Sequence, residues 1–448
     1  MSIKPKLGLF DLTMIIVSLV IGVGIFRSPA IVAQKAGSQT IFFTAWILGG
    51  LISICGALTF AEIGSRFPAA GGFYKIFSHC YHPAYAFMLN WSLVIINAAS
   101  NVGVAIVGAE YINPILMPAS LQNDTGVKIT ALAATLILYE LNMLGIKMGA
   151  RAQNVLSMVK IGMILIFCCA LFGPHAVTIA QGDAVTGTSL VLRPSSLLSA
   201  LGMSLISVFF TYGGYQNTIN FGADIRDPSR NIPRGIFMGM GIVIAMYLAI
   251  NVAYCTVLGF SAVQHSKLLA SELAGAFFGQ RGYMIASLAI FISVLGFMNT
   301  SLMSNPRVYY AMAEDKILPD IFKRINDRTM TQEFGLSFFV ALMIISLFLL
   351  GTFEKIVNYV MFIDSLSMVS AAGTIFIFRR RARESGIAIS ENVYQMRFYP
   401  WVPLLFMLVL FIVMINVLIS DPLSSLYGFT IFLAGYPLYL LLKKVIAR

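Results

Sequence analysis

Long apolar segments, separated by short polar loops, repeat along the whole chain. A helix needs about 20 predominantly apolar residues to cross a bilayer. Segments of about that length lie near 11–34, 41–63, 83–109, 128–146, 154–173 and 197–222 in the first half, and near 235–258, 284–310, 335–351, 356–378, 401–419 and 424–442 in the second. The pattern predicts an all-α polytopic membrane protein with 12 transmembrane helices. Their even number places both termini on one side of the membrane.

Composition and charge agree with a protein embedded in a bilayer. The chain has 448 residues, 58% hydrophobic and 11% charged, whereas soluble domains carry about 25% charged residues. A soluble fold is excluded, and no room remains for a separate soluble domain. Most of the 30 Lys and Arg residues fall on the side of the N-terminus, and basic loops are retained in the cytoplasm. We therefore expect cytoplasmic termini, an inner or plasma membrane location and no nucleic acid partner.

Glycines interrupt two of the predicted spans, the first at 21–26 (IGVGIF) and the sixth at 210–215 (FTYGGY). The interruptions lie five spans apart, and this odd offset gives the two halves of the chain opposite orientations in the membrane. Inverted repeats with broken helices that meet near the bilayer midplane are typical of secondary transporters. The pattern predicts a 5+5 inverted-repeat core with broken helices 1 and 6.

The domain organisation follows from this repeat. We expect a transport core in residues 1–380, with one repeat at about 8–175 and the other at about 195–380. Residues 381–448 then form two accessory transmembrane helices and the cytoplasmic C-terminus.

The first interruption offers backbone groups that suit a zwitterion. Amides of Val23, Gly24 and Ile25 at the start of a half-helix suit a carboxylate, and carbonyls near Ile21 suit an ammonium group. An α-amino acid carries both charges. The alternative is that Gly22 and Gly24 are small residues at a close helix contact. If the site interpretation holds, Gly24→Leu should abolish binding in a folded protein.

The second interruption lies next to two aromatic residues. Phe209 and Phe210 precede Gly213 and Gly214. Aromatic residues in a span usually pack in the core. Beside a broken helix, a ring at Phe210 could instead swing over a bound molecule and close the outer path.

Three charged residues lie within predicted spans, where charge is costly. Lys160 either snorkels to the surface or donates to carbonyls freed by a broken helix. Asp364 and Glu140 are each either a proton site or a neutral, hydrogen-bonded core residue. The sequence leaves these alternatives open.

Motifs of common catalytic and cofactor sites are absent from the sequence. It contains no GxxxxGK[ST] phosphate loop, no HExxH and no GxSxG, the motifs of nucleotide, zinc-protease and hydrolase sites. The five cysteines lack paired metal-site spacing. We expect no enzyme activity, no cofactor and no metal.

Six ordered segments resemble one known family. The chain resembles the amino acid/polyamine/organocation (APC) superfamily, and within it bacterial relatives of the L-type amino acid transporter (LAT) family. The segments are IGVGIF (21–26), AEIGSRFPAAGGFY (61–74), LNMLGIKMGARAQNVLSMVK (141–160), FFTYGGY (209–215), DPSRNIPRGI (227–236) and NPRVYYAMAEDKILP (305–319). The resemblance covers spans 1 to 10 and implies alternating access around an inverted-repeat core.

The resemblance also implies roles for residues at the two breaks. The substrate carboxylate would bind the amides of Val23 and Gly24, and its amino group the carbonyls of Ile21 and of span 6 near Phe209. Phe210 matches the outer aromatic gate. Together with Gly22 and Ile25, these residues form the predicted substrate site.

Further implied roles concern ions and selectivity. Lys160 matches a lysine that takes the place of a sodium ion and ties span 5 to spans 1 and 8, where Asn299 and Ser301 are the nearest polar residues. Sodium dependence is therefore not expected. Gln216 falls where the family varies its side-chain selectivity.

Two departures from the family pattern matter. Many relatives have a hydroxyl residue between the two glycines, where this chain has Val23, so any hydroxyl contribution to binding is lost. Animal members carry a cysteine between spans 3 and 4 for a disulfide to a heavy chain, and 111–127 contains none here. A disulfide-linked heavy chain is therefore not expected.

The sequence thus predicts a sodium-independent exchanger of neutral L-amino acids. An alternative is proton-coupled symport of amino acids or polyamines that uses Asp364 or another carboxyl. A channel or receptor without a transport cycle is a more distant alternative, because two broken helices enclose one site rather than a continuous pore.

Overall fold

The computed structural model describes residues 8–67, 72–145, 162, 194–216, 225–349, 353–384 and 393–446. Within these ranges the chain forms α-helices joined by loops and short 3₁₀ turns, and it contains no β-strand. The prediction of an all-α protein is confirmed for this part of the chain.

The helices follow the apolar pattern of the sequence closely. In the first half they are α1 (Leu9–Val20), α2 (Gly24–Ala36), α3 (Gln39–Arg66), α4 (Gly72–Cys80), α5 (Pro83–Leu116), α6 (Asp124–Met143) and α7 (Pro194–Tyr212). In the second half they are α8 (Pro228–Val257), α9 (Phe260–His265), α10 (Leu269–Glu314, kinked at Gly279), α11 (Glu333–Leu349), α12 (Phe353–Glu384), α13 (Trp401–Ser420) and α14 (Pro422–Ile446).

Eight helices of the described chain are long and apolar enough to cross a membrane: α3, α5, α6, α8, α10, α12, α13 and α14. Helices α7 and α11 are apolar but shorter, and the predicted first span is divided between α1 and α2. The predicted fifth span, near 154–173, lies almost entirely outside the described residues. The total of twelve spans therefore stays a prediction.

Two helices end at the predicted interruptions. Helix α1 ends at Val20 and α2 begins at Gly24, so the first apolar segment is not one continuous helix. Helix α7 ends at Tyr212, and a turn with Gly214 at φ 118° follows. That φ lies in the region that favours glycine. The rest of the predicted sixth span, from residue 217, lies outside the described residues.

The helices around the two breaks pack into one group. Helix α1 packs on α8, α2 packs on α7, and α3 contacts both α7 and α8. A second group forms around α5, which packs against α6, α10 and α11. Helix α12 contacts members of both groups, α3 and α7 on one side and α5 on the other. The breaks therefore lie inside the helix bundle.

A fully buried carboxylate ties the predicted cytoplasmic end of α3 to α12. Glu62 accepts hydrogen bonds from Arg66 Nε at 2.7 Å, from Arg379 Nε at 2.8 Å and from Arg379 Nη2 at 2.7 Å. It also accepts the backbone N–H of Met396 at 2.7 Å. The Arg379 guanidinium lies 3.9 Å from the centre of the Tyr399 ring. The segment that leads into α13 is thus fastened to both helices.

The short helix α4 crosses the same end of the bundle. Lys75 forms an ion pair with Asp315 after α10 at 2.5 Å, and the Tyr74 hydroxyl donates to the same carboxylate at 2.8 Å. Burial and the adjacent carboxylate raise the pKa of Tyr74 well above its usual range, so its hydroxyl stays a neutral donor. From α12, Arg381 donates to the backbone oxygen of His79 at 3.1 Å. Helix α4 therefore connects α10 to α12.

Candidate functional site

The start of α2 presents backbone donors at the first break. Phe26 N–H bonds to the Val23 oxygen at 3.0 Å, whereas the N–H groups of Gly24 and Ile25 have no acceptor within the described part of the chain. The first-turn amides of a helix have no intrahelical partner and lie at the positive end of its dipole. This end of α2 can therefore bind an anion such as a carboxylate.

Backbone acceptors lie at the helix ends that face this break. The Ile21 carbonyl follows the end of α1, and the Phe209 carbonyl belongs to the last turn of α7. No described residue donates a hydrogen bond to either carbonyl. At the end of α7, Gly213 N–H bonds to the Phe210 oxygen at 3.3 Å instead of to the Phe209 oxygen. Unpaired carbonyls are costly inside a membrane unless they line a cavity. Both can accept hydrogen bonds from an ammonium group.

The two broken helices touch through Gly24. A Cβ atom added at Gly24 would lie 3.0 Å from Thr211 Oγ1 and 3.1 Å from Thr211 Cα. Among the described residues, a Cβ atom added at Gly22 would have no neighbour nearer than the Val20 oxygen at 3.8 Å. Gly24 thus fits the alternative interpretation, in which a small residue allows two helices to pack closely. Gly22 instead borders a space that no described residue fills. A leucine at Gly24 would press on Thr211 of α7, so we expect Gly24→Leu to disturb this helix contact as well as binding.

Tyr247 of α8 bridges the two breaks, a role that sequence reasoning missed. Its buried hydroxyl lies 3.0 Å from the Val20 oxygen and 3.4 Å from the Thr211 oxygen. Its one hydroxyl hydrogen is therefore shared between carbonyls at the ends of α1 and α7. A signal was present in the sequence, because a tyrosine hydroxyl in the middle of an apolar span needs a buried acceptor.

An aromatic cluster supports Tyr247 from behind. Its ring lies 5.1 Å from Tyr212 and 5.8 Å from Trp46, centre to centre. The Tyr212 hydroxyl donates to the backbone oxygen of Trp46 at 3.1 Å. All three side chains are buried. The cluster fixes the end of α7 against α3 and α8.

The aromatic pair of α7 is divided between two environments. Phe209 is buried, whereas Phe210 is half-buried and packs edge-on against Phe353 at the start of α12, with 5.7 Å between ring centres. The Phe210 ring therefore spans from the second break to α12. This position is compatible with a gate, which remains a prediction.

Gln216, the predicted selectivity residue, is hydrogen-bonded to the turn after α7. The side-chain oxygen of Gln216 accepts the N–H of Gly214 at 2.7 Å. This bond fixes the carboxamide next to the break.

The residues predicted to surround a sodium-replacing lysine are only partly described. Asn299 of α10 is buried and accepts a hydrogen bond from Asn142 Nδ2 of α6 at 2.7 Å. The backbone oxygen of Ser301 accepts Asn305 Nδ2 at 2.9 Å. Lys160 lies outside the described residues. The predicted contact between Lys160 and these residues therefore stays a prediction.

Helix α2, the second half of the predicted first span, carries two basic residues that are paired across helices. Arg27 Nε lies 3.6 Å from Glu110 of α5, and Lys35 Nζ lies 3.2 Å from Glu354 of α12. The adjacent Tyr111 hydroxyl of α5 donates to the backbone oxygen of Phe26 at 2.9 Å. These contacts hold α2 against α5 and α12. Their partners are far apart in sequence, so the pairs could not be predicted.

We expect Tyr247→Phe to reduce transport about tenfold, because the carbonyls at the two breaks lose the one hydrogen that they share, and the loss of a buried hydrogen-bond donor costs about 1–3 kcal/mol. The ring remains, so the aromatic cluster is preserved. The measurement is the initial rate of amino acid uptake into liposomes.

Tyr309→Phe provides the matched control for Tyr247→Phe. The Tyr309 side chain is buried in α10, and its hydroxyl has no hydrogen-bond partner in the described part of the chain. Its loss should leave the rate unchanged. Equal rates in the two variants would remove the bridging role of Tyr247.

The chain is similar in sequence to known proteins along almost its whole length. Residues 7–441 match the family model described as "Amino acid permease". "Serine/threonine exchanger SteT" of Bacillus subtilis (strain 168) is 29% identical, over 99% of this chain and 98% of the relative. Human "Large neutral amino acids transporter small subunit 2" is 27% identical, over 98% of this chain and 81% of the relative. Human "Cystine/glutamate transporter" is 27% identical, over 98% of this chain and 85% of the relative.

Proposed function

This chain belongs to the amino acid permease family, and from that premise we propose that it exchanges neutral L-amino acids across a cell membrane by alternating access, without sodium. Membership of the family confirms the resemblance to bacterial relatives of the LAT family. The protein is thus a multi-pass membrane transporter of amino acids and not an enzyme. Its selectivity, coupling and orientation belong to the proposal.

The proposal rests on one observation: backbone N–H groups and carbonyls at the two breaks have no hydrogen-bond partner within the described chain. The N–H groups of Gly24 and Ile25 suit the carboxylate of an amino acid, and the carbonyls of Ile21 and Phe209 suit its ammonium group. No ionised side chain is needed to bind the amino acid backbone. Gly22 borders the open space in which the backbone would lie.

The surroundings of the breaks support a neutral substrate. Val23 and Phe209 are buried and apolar, and Phe210 and Gln216 add a ring and a carboxamide. None of these four residues is basic, so a negative charge on the substrate side chain would be uncompensated by them and costly. The relatives named above carry different substrates by name, so similarity alone does not choose among substrate classes.

The packing of the helices supports an inverted repeat. Helices α1 and α8, the predicted spans 1 and 7, pack together, and so do α3 and α7, the predicted spans 2 and 6. An offset of five spans converts the first pair into the second. The same offset relates the contact of α5 with α11 to that of α6 with α10. We assign the repeats to about 8–175 and 195–380, with 381–448 as the accessory part.

Sodium independence and orientation rest on the sequence. Lys160 would supply the positive charge of a sodium ion, and the basic residues near the span ends favour cytoplasmic termini. The outer gate assigned to Phe210 follows from that orientation.

We expect labelled neutral amino acids to enter liposomes containing the purified protein only when unlabelled amino acid is inside. Exchange requires a loaded carrier in both directions, so empty liposomes should take up little. The measurement compares a panel of amino acids with and without a sodium gradient and with and without a pH gradient. Sodium should have no effect.

Several outcomes would overturn this proposal. Uptake into empty liposomes driven by an acid exterior would indicate a proton symporter instead of an exchanger. Preference for lysine, glutamate or a polyamine would remove the neutral substrate class. Flux that does not saturate would indicate a channel.

A further inference from the structure

Asp364 lies near the middle of α12. It lies ten residues from Glu354 and fifteen from Arg379 on its own helix, which is about 15 Å and about 22 Å along the axis. The side chains one turn away on the same helix face, at Val360 and Met368, are buried, whereas that of Asp364 is only half-buried. A side chain that is surrounded by protein and still partly accessible borders an internal space.

The Asp364 carboxyl has no cation and no hydrogen-bond donor among the described residues. The buried Tyr215 lies close enough to Asp364 for the two side chains to interact electrostatically. The Tyr215 hydroxyl donates to the Met368 sulfur at 3.5 Å, and sulfur is a weak acceptor. One turn from Asp364 on the same helix face, the Ser367 hydroxyl has no partner in the described chain. Tyr215 and Ser367 therefore bring weakly bonded or unbonded hydroxyls to the neighbourhood of Asp364.

The elements that pack against α12 bring no charge to this depth within the described chain. Helix α13 has no titratable residue, and α14 has tyrosines and the terminal Lys443 and Lys444. Helix α3 contributes Cys55 near Tyr215 and Glu62 at its far end, where α4 also lies. Helix α5 contributes Tyr85, which bonds to the Ser370 hydroxyl at 2.7 Å, and α7 contributes Tyr212.

Glu140, the other carboxyl in a predicted span, has a different setting. Its side chain is exposed on α6. It therefore needs no partner inside the bundle. The structure separates two residues that the sequence could not distinguish.

We infer that Asp364 is a proton-binding site whose occupancy changes during the transport cycle. An unpaired carboxylate inside a closed bundle is costly, so the neutral form accompanies closed states. When the space beside Asp364 opens to water, the carboxyl can release its proton. The ionised form is then a stronger acceptor than Met368 for the Tyr215 hydroxyl. The inference rests on the proposed exchange function and adds its regulation by pH.

The direction of the pH effect follows from this arrangement. An ionised Asp364 stabilises the hydrated, open state and delays closure. Exchange should therefore slow as the pH rises. Asparagine resembles the neutral carboxyl, so Asp364→Asn should exchange rapidly at all pH values.

The test compares exchange of a labelled substrate with equal pH on both sides of the liposome membrane. We expect the wild-type rate to fall at least about threefold between about pH 5 and about pH 9. Asp364→Asn should show a flat profile, and Asp364→Glu should keep the fall. The matched control, Glu140→Gln, removes the exposed carboxyl and should follow the wild type.

The outcomes separate this inference from the proposed function. Absence of exchange by the wild-type protein at every pH would overturn the exchange function itself. Exchange with a flat wild-type profile, or an Asp364→Asn profile equal to that of the wild type, would overturn the proton site alone.

If Asp364→Asn does not fold, the wild-type protein provides a second test. Dicyclohexylcarbodiimide adds to protonated carboxyls in apolar surroundings. Peptide mass spectrometry should find its adduct on Asp364, with a yield that falls as the pH rises. Failure to label Asp364 at acid pH, or labelling independent of pH, would overturn the inference.

Discussion

Gly22→Leu is expected to abolish amino acid binding in a protein that folds normally. Within the described chain, a Cβ atom at this position has no neighbour closer than 3.8 Å, so the added side chain would extend into the gap at the first break. There it would occupy the volume proposed for the substrate backbone. We expect affinity to fall at least about 100-fold, which corresponds to about 2.8 kcal/mol. Substrate-dependent thermal stabilisation of the purified protein measures this loss.

Gly241→Leu is the matched control for Gly22→Leu. A Cβ atom added at Gly241 has no neighbour within 4 Å among the described residues, and this glycine is exposed on α8. This variant should bind like the wild type. Gly24→Ala should instead lower the unfolding temperature as well as the affinity, because its Cβ atom presses on Thr211. Wild-type affinity in Gly22→Leu would move the site away from the first break.

A second large effect is expected at the buried carboxylate of α3. Glu62→Ala should lower the free energy of unfolding by about 3–5 kcal/mol, because it leaves buried charges without their counter-ion. Arg379 loses both hydrogen bonds to the carboxylate, and the Met396 N–H loses its acceptor. The thermal unfolding of the protein in detergent, followed by size-exclusion chromatography, measures the loss.

Glu384→Ala is the control for Glu62→Ala. Glu384 pairs with Arg380 at 2.7 Å, but the two side chains are 60% and 80% exposed. Solvent screens such a pair, so its removal should not change the unfolding temperature. If Glu62→Ala unfolds at the same temperature as this control, the buried cluster does not fasten α3 to α12.

The sequence predicted the helices well because each span must bury about the same thickness of hydrocarbon. The predicted segment near 401–419 corresponds to Trp401–Ser420, and that near 335–351 to Glu333–Leu349. Helix α7 ends at Tyr212, ten residues before the predicted apolar segment ends, because hydropathy does not register a backbone break. The glycines of the sequence indicated that break.

Contacts between helices that are far apart in sequence could not be predicted from the sequence. The bridge from Tyr247 to both breaks and the pair of Arg27 with Glu110 depend on how separate spans pack. The sequence also gave Gly22 and Gly24 the same role. Only the position of Thr211 shows that Gly24 faces a helix and Gly22 faces open space.

The docking of α4 makes this helix a natural reporter of the transport cycle. It has only 9 residues, and isolated helices shorter than about 12–15 residues are marginal in water. Its backbone order therefore depends on its attachments to Asp315 after α10 and to Arg381 of α12. Any step that separates α10 from α12 should expose the amides of α4 to deuterium. Hydrogen–deuterium exchange at 72–80 would then follow, without any label in the bilayer, which conformation the carrier occupies.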